Sequence, residues 1–582
     1  ATRNVGMDMI MYENLEMFIH AEELDPTDPL FDNDLTVFVR LGTDFRENYY
    51  EYEVPLKVTQ WGATSDIDIW PEENNLRIVF DELRDVKKER NQLAESPTAN
   101  VALNIEYVKD VAHQPGSSDN NNVNHPLRRI KVKGNPNLAD VKTIMIGIRN
   151  PAQNDNHPWK PDDGLAKCGQ VWVNELRLTD FQNEGGSAAL ARMQLQIADF
   201  ANVQLSGAYS GINWGSIDSR VAERQRDTRL SMDLSANAQL GQLLGEKIKF
   251  DIPFLYTYSV GSITPRFDPY SPDIELSSYD REERQRRSRD GQQFNERKSY
   301  NFTNVRKQRK PGATARPWDL ANLNFNYGYS EDLLRDFNTN YDRTKIWKGG
   351  VNYIYTGSPT LFEPFKNVKF MRKSKWWDII KDANVFLGPK SVNVNNNLMR
   401  TYNERQIRNN IPNTNFEFQP IYMKNFVWNR NYNFKYDITK NLKFDLMANN
   451  NAIFDEAEGQ VDRRENPDLY REFMDSIRSQ MSTLGKTMRY DHNFNLSYNV
   501  PFNKIPALDW LNTNFRYTGS YEWSRPNLGL EAFGNTIQNS RNVNVTSQLN
   551  MANLYKKSEL LQSIINDGRA GRGGTTARRS LG

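Results

Sequence analysis

Cysteine is almost absent. Cys168 is the only one in 582 residues, so no disulfide can form within the chain. The thiol, beside Gly169, reads as a small buried residue rather than a nucleophile. Histidine is scarce too, and none of His20, His113, His125, His157 and His492 stands at zinc-type spacing from another His or Cys. His113, Asp119 and His125 share one loop, which reads as solvated. Asp155, Asp162 and Asp163 precede Gly164 in a loop with calcium-like composition, but out of EF-hand order. No charge of one sign dominates: 74 Lys and Arg meet 73 Asp and Glu, for a net charge of +1. That excludes a bulk electrostatic pull on nucleic acid. There is no G-x-S-x-G elbow, and GRAGRGG near the end neither follows a strand nor opens a helix. No catalytic residue, metal or cofactor is expected, and no enzyme. No run approaches the 18 or so apolar residues of a membrane helix. The chain begins ATRNVGMDMIMYENLEMF, without a charged-then-apolar leader, which suits a removed leader or an internal piece of a longer protein.

What is present is alternation. Hydrophobic residues make up 38% and mean hydropathy is -0.76, but only alternate residues of a barrel strand touch lipid, so low hydropathy leaves a membrane barrel open. The chain is organised around residues 228–260. Leu230, Met232, Leu234, Ala236, Ala238 and Leu240 alternate with Ser231, Asp233, Ser235, Asn237 and Gln239. After a turn with Gly241 and Gly245, Ile248, Phe250, Ile252, Phe254, Tyr256, Tyr258 and Val260 resume the pattern. A period of two means strand, and the length is that of a tilted bilayer crossing, roughly 9–11 residues. In a membrane, Leu230, Met232, Leu234, Ile248, Phe250, Ile252 and Phe254 would face lipid. Ser231, Asp233, Ser235, Asn237, Lys249 and Asp251 would face the lumen.

Residues 1–182 read as an extramembrane β-sandwich, jelly-roll-like, with one charged helix near 76–91 carrying Val79, Leu83 and Val86 on one face. Polar loops are expected at 114–124 and 152–164. Residues 183–192, NEGGSAALAR, read as a small-residue connector. From 193 to 553 roughly eleven alternating segments recur, with long polar loops, notably 261–317 and 359–382. The clearest hairpin is 432–448, turning at Thr439, Lys440 and Asn441. Tyr and Trp gather at segment ends, where a lipid–water interface would lie. SKWWDIIKD (374–382) is amphipathic and suits either that interface or packing under a loop. Residues 554–582 read as a short helix and a disordered basic tail. The fold class is therefore mainly β: a sandwich followed by many long amphipathic strands that suit a membrane barrel.

Several long strings resemble one family. They are LEMFIHAEE (15–23), FVRLGTDFRENYYEYEVPL (38–56), IWPEENNLRI (69–78), KCGQVWVNELRLTDF (167–181), GSITPRFDPYSPDIE (261–275) and MRTYNERQIRN (399–409). The chain is similar to the SprA/Sov family, the outer-membrane translocon of the type IX secretion system of Bacteroidetes, associated with gliding motility. The resemblance implies that the chain is an internal or C-proximal segment of a very large transmembrane β-barrel. It implies a protein-conducting pore for folded cargo with C-terminal signals, set in outer-membrane lipid. It also implies a PorV-like outer-membrane shuttle barrel and a periplasmic plug protein as partners, and no nucleic acid. Two other readings stand beside it: a cell-surface carbohydrate-binding or adhesin module, and a nutrient-uptake barrel.

Overall fold

In the computed structural model the chain is mainly β, and its sheets are antiparallel. It describes residues 2–564 apart from 26, 28, 97–100, 112–126, 153–158, 160–162, 246–247, 311, 369–374, 412–415, 462, 465 and 527–528. The expected loop at 114–124, most of that at 152–164, and the basic tail lie outside the described residues.

The first part comprises β1 (Thr2–Met7), β2 (Tyr12–Glu23), β3 (Thr36–Gly42), β4 (Tyr49–Pro55), α1 (Asp66–Ile69), β5 (Leu76–Val79), α2 (Phe80–Glu95), β6 (Tyr107–Val111), β7 (Arg128–Lys133), β8 (Val141–Arg149) and β9 (Gly169–Phe181). Strands β1-β8-β3-β4-β7-β6 form one sheet and β5-β2-β9 a second. Leu15, Met17 and Ile19 of β2 meet Val37, Val39 and Leu41 of β3 in one buried core. The helix expected from 76 starts only at Phe80, because Leu76, Ile78 and their neighbours pair with β2, Ile78 opposite Leu15. Asp81 and Glu82 in its first turn complement the helix dipole. Cys168 is exposed, not buried: it sits just before β9, an edge strand of the smaller sheet.

The second part comprises β10 (Ala188–Ile197), β11 (Ala201–Ser210), β12 (Asp227–Gln239), β13 (Phe250–Asp251), β14 (Pro253–Pro265), β15 (Phe267–Asp268), β16 (Ser271–Glu275), α3 (Arg281–Gly291), β17 (Gln293–Lys307), β18 (Leu323–Arg335), β19 (Thr339–Thr356), β20 (Thr360–Phe362), α4 (Asp378–Lys381), β21 (Val385–Leu387), β22 (Ser391–Ile407), β23 (Ile421–Asp437), β24 (Leu442–Phe454), α5 (Pro467–Ser482), β25 (Lys486–Val500), β26 (Leu511–Ser524), β27 (Thr536–Leu549) and α6 (Met551–Tyr555). Thirteen of these strands, β10 to β27, lie side by side in chain order as one antiparallel sheet, and the two-residue β13 pairs with β17. Among the described residues nothing pairs with the outer edges of β10 and β27, so the sheet is an open arc.

The arc therefore holds more strands than the eleven expected. The stretch 261–317 is not one loop: it contains α3 and all of β17, whose sequence QFNERKSYNFTNVRK carries charge on both faces and so hides its period. In β22, SVNVNNNLMRTYNERQI, a run of asparagines does the same. Half of the expected connector is β10, an edge strand whose side chains are all exposed. Ile248 and Lys249 are not on a strand. They lie in the turn before β13, where Lys249 adopts φ 51°.

The sandwich docks on the excursion between β14 and β17. Asp273 of β16 accepts from Lys87 Nζ of α2 at 2.7 Å and from the Tyr50 hydroxyl of β4 at 2.6 Å. Both members of the ion pair are fully buried. Beside it, Arg287 of α3 donates to Asp268 at 2.7 Å and to Glu95 at the end of α2 at 2.6 Å. Burial pulls the Lys87 ammonium below its ordinary pKa, and the nearby Asp273 carboxylate pulls it back up. The other side of the excursion touches the arc: Arg408 pairs with Asp290 at 3.2 Å, and the rings of Tyr270 and Phe337 meet edge to face at 5.1 Å. One segment thus clamps the sandwich to the arc.

Candidate functional site

The arc has two chemically distinct faces, and the register defines them because cross-strand partners share a face. Leu230, Met232 and Leu234 stand opposite Tyr209, Gly207 and Leu205 of β11 and opposite Ser262, Val260 and Tyr258 of β14. Phe254, opposite Ala238, is on this same side. Ser231, Asp233, Ser235 and Asn237 are on the other, where Asp233 accepts from the Ser259 hydroxyl at 2.7 Å. Phe250 and Asp251 pair with Lys307 and Arg306. Ile252 lies between β13 and β14, and Ile248 and Lys249 belong to the turn.

The first face carries a row of rings. Tyr256, Tyr300, Tyr329 and Trp347, on four successive strands, have centroids 5.0, 6.2 and 5.5 Å apart. The row continues through Arg400 to Phe426 and Phe454. One residue pair further along the strands the chemistry turns ionic, with Lys298 bridged to Glu331 at 3.1 Å. Arg400 is held from several sides. Its guanidinium lies 5.0 Å from the Trp347 ring and 5.3 Å from Phe473 of α5, and it makes paired 2.7 Å hydrogen bonds to Glu456.

The apolar band does not run straight across the register. The row of paired residues that starts at Leu234 in β12 passes Tyr258, then Lys298, Glu331, Lys345 and Tyr402, and reaches Lys424 in β23. The row that starts at Tyr517 in β26 passes Leu496 and Phe444 and reaches Tyr436 in β23. Lys424 and Tyr436 are twelve residues apart on one strand. The apolar band therefore drifts by twelve residues over the nine strand steps from β12 to β26. With a rise of about 3.3 Å per residue and about 4.8 Å between strands, that is a strand tilt of about 40° to the band. Strands of closed barrels tilt by about 35–45°.

The opposite face is amide-rich. Asn324, Asn352, Asn395, Asn431 and Asn449 follow one another in register on five neighbouring strands, and Asp491 and Glu522 extend the row. Neighbouring rows include Asn429 and Asn451, joined by a 2.6 Å hydrogen bond. Alternation marks each asparagine as polar-face but does not align them. The amide row exists only once the register is known.

Among the described residues no group of three or more His, Cys, Asp and Glu is placed to hold a metal ion. Asp155, Asp162, His113, Asp119, His125 and His157 lie outside the described residues. Asp163 is paired to Lys167 at 2.6 Å. His20 bonds the Ile69 carbonyl at 2.6 Å, and His492 stacks on Tyr521 at 5.2 Å. No described helix is long and apolar enough to cross a membrane.

These features define a two-part, mainly β protein: a sandwich clamped to a large, two-faced antiparallel arc. Residues 2–279, the sandwich and the first strands of the arc, match the SprA_N family model, described as motility related/secretion protein. This is a family of motility and secretion, not of enzymes. No curated protein matches the chain. Among solved structures, the siderophore receptor PirA from Acinetobacter baumannii aligns at 9% identity over 92% of this chain and 74% of that one, with a TM-score of 0.13, below what defines a shared fold.

Proposed function

We propose that this chain is part of the protein-conducting outer-membrane channel of the type IX secretion system, which exports folded cargo bearing C-terminal signals. The observation that carries the membrane part of this reading is the oblique apolar band. A bilayer needs a level apolar belt around tilted strands, so the belt must cut the register at the tilt angle. Leu230, Met232, Leu234, Phe250 and Phe254 then face lipid, and the ring row of Tyr256, Tyr300, Tyr329 and Trp347 lies near one interface. The amide face with Ser231, Asp233, Ser235, Asn237 and Asp251 lines the lumen. It offers passing cargo hydrogen bonds that water can equally make, and little apolar surface to adhere to.

The family match supports secretion as the task. The unpaired edges of β10 and β27 call for further strands, since an open edge in lipid leaves backbone groups unsatisfied. A PorV-like shuttle barrel and a periplasmic plug protein are the partners of this reading. The test is to deplete the protein in its host and follow a secreted protein that carries a C-terminal signal. Cargo trapped folded in the periplasm, with the shuttle and plug co-purifying with the tagged protein, is the expected result. Normal export would sink the proposal.

A further inference from the structure

The excursion between β19 and β22 exposes an apolar cluster that the pore reading does not use. Phe362, Phe365, Trp376, Trp377, Ile379 and Ile380 are each at least 40% exposed, and Trp376 reaches 64%. They come from β20, the turn after it and the short helical stretch 375–381. So many large apolar side chains exposed in one excursion call for a cover.

The excursion's position says what covers it. It folds to the apolar side of the arc. There Tyr355, on the same face as Val351 and Tyr353, is buried, and its hydroxyl lies against Gly357, where a Cβ would have no room. Tyr436, also on that face, donates its hydroxyl to the Phe386 carbonyl of β21 at 2.9 Å. The excursion thus meets the apolar side of the arc at the strand ends opposite the sandwich. Two adjacent exposed indoles are the chemistry of the bilayer interface, where amphipathic rings gather.

We infer that residues 357–368 and 375–390 form an in-plane membrane anchor, with the Trp376 and Trp377 rings seated at the headgroup–acyl boundary beside the arc. The inference rests on the lipid assignment of the first face and adds a lipid-binding element outside the strands. It explains why the segment is held to the arc by Lys440 and Lys504, which pair with Glu363 and Asp382 at 2.6 and 2.8 Å. These bonds fix the height of the indoles relative to the strands.

The test uses the protein purified from membranes and reconstituted in lipid nanodiscs. In a Cys168→Ser background, single cysteines replace Ile379, Leu234 or Ser235 and carry an environment-sensitive fluorophore. Spin-labelled lipids quench it, with the label either near the headgroup or near the chain end. The inference expects Ile379→Cys to be quenched more strongly by the shallow label and Leu234→Cys by the deep one, with Ser235→Cys unquenched. An unquenched Ile379→Cys beside a quenched Leu234→Cys overturns the anchor and makes a protein partner the occupant of the cluster. An unquenched Leu234→Cys overturns the lipid assignment beneath it. A Trp376→Ser, Trp377→Ser double variant checks the result without a bulky label, and it should bind liposomes more weakly than the parent while keeping its strand content. Equal binding by the two would also overturn the anchor.

Discussion

Lys87 and Asp273 meet 2.7 Å apart with neither side chain reaching water, although 186 residues separate them. One belongs to the helix of the sandwich, the other to an excursion from the arc, so this pair is where the two parts become one body. Replacing Lys87 by Met leaves a buried carboxylate without its cation, and the cost should be about 3–5 kcal/mol. The double variant Lys87→Met, Asp273→Leu should recover part of that loss, because it removes the stranded charge but leaves the Tyr50 hydroxyl and the Leu138 N–H without their acceptor. A denaturation cycle on the four proteins measures both numbers.

Arg400→Ala should loosen α5 over the arc. It removes two charge-assisted bonds to Glu456 and the contact with Phe473, together about 1–3 kcal/mol of local stability. Hydrogen exchange across 467–482 should speed up about tenfold or more while the core of the sandwich is unchanged. Arg400→Lys keeps the charge but not the paired geometry and should fall between the two.

A charge placed on the apolar face at mid-strand should be costly and one on the amide face should not. Leu234→Arg is expected to lose about 2–4 kcal/mol in a bilayer, whereas Ser235→Arg is expected to be close to neutral. Folding titrations into lipid vesicles give the comparison, and equal damage at the two positions would contradict the face assignment.

Acid should weaken the β3–β4 turn of the sandwich. Asp44 is slightly buried, which opposes ionisation, but the Glu47 N–H, the Asn48 side chain and the Arg46 N–H hold its pKa down to about 2. Its folded pKa therefore lies below the ordinary 3.8. The resulting stability is present above that ordinary value and is lost as pH falls from roughly 4 towards 2. The group is largely solvated, so the effect should stay under about 1 kcal/mol. Asp44→Asn should flatten the thermal stability of the sandwich across that window.

The strand pattern was legible where one face is apolar and the other polar, as in β12 and in the β23–β24 hairpin. It failed where both faces carry charge or amide. The sequence of β17 puts Glu296 and Lys298 on the same face as Phe294 and Tyr300, and only its pairing with β14 and β18 makes it a strand. Ile248 continues the alternation on paper, yet Lys249 takes a left-handed conformation that breaks it. The oblique band and the amide row were not legible at all, because both depend on which residue stands opposite which. The same holds for the burial of Lys87 and Arg90, since a charged helix does not itself say which of its cations the rest of the chain will cover.

The measurement that bears most directly on this account is to extract the protein from its host membrane and image it in mild detergent. The account predicts that it stays with the membrane through salt and alkaline washes, and that β10 and β27 each pair with a further strand in a closed barrel whose apolar belt is level. A protein released by buffer alone, with the arc ending at open edges in water, would contradict it.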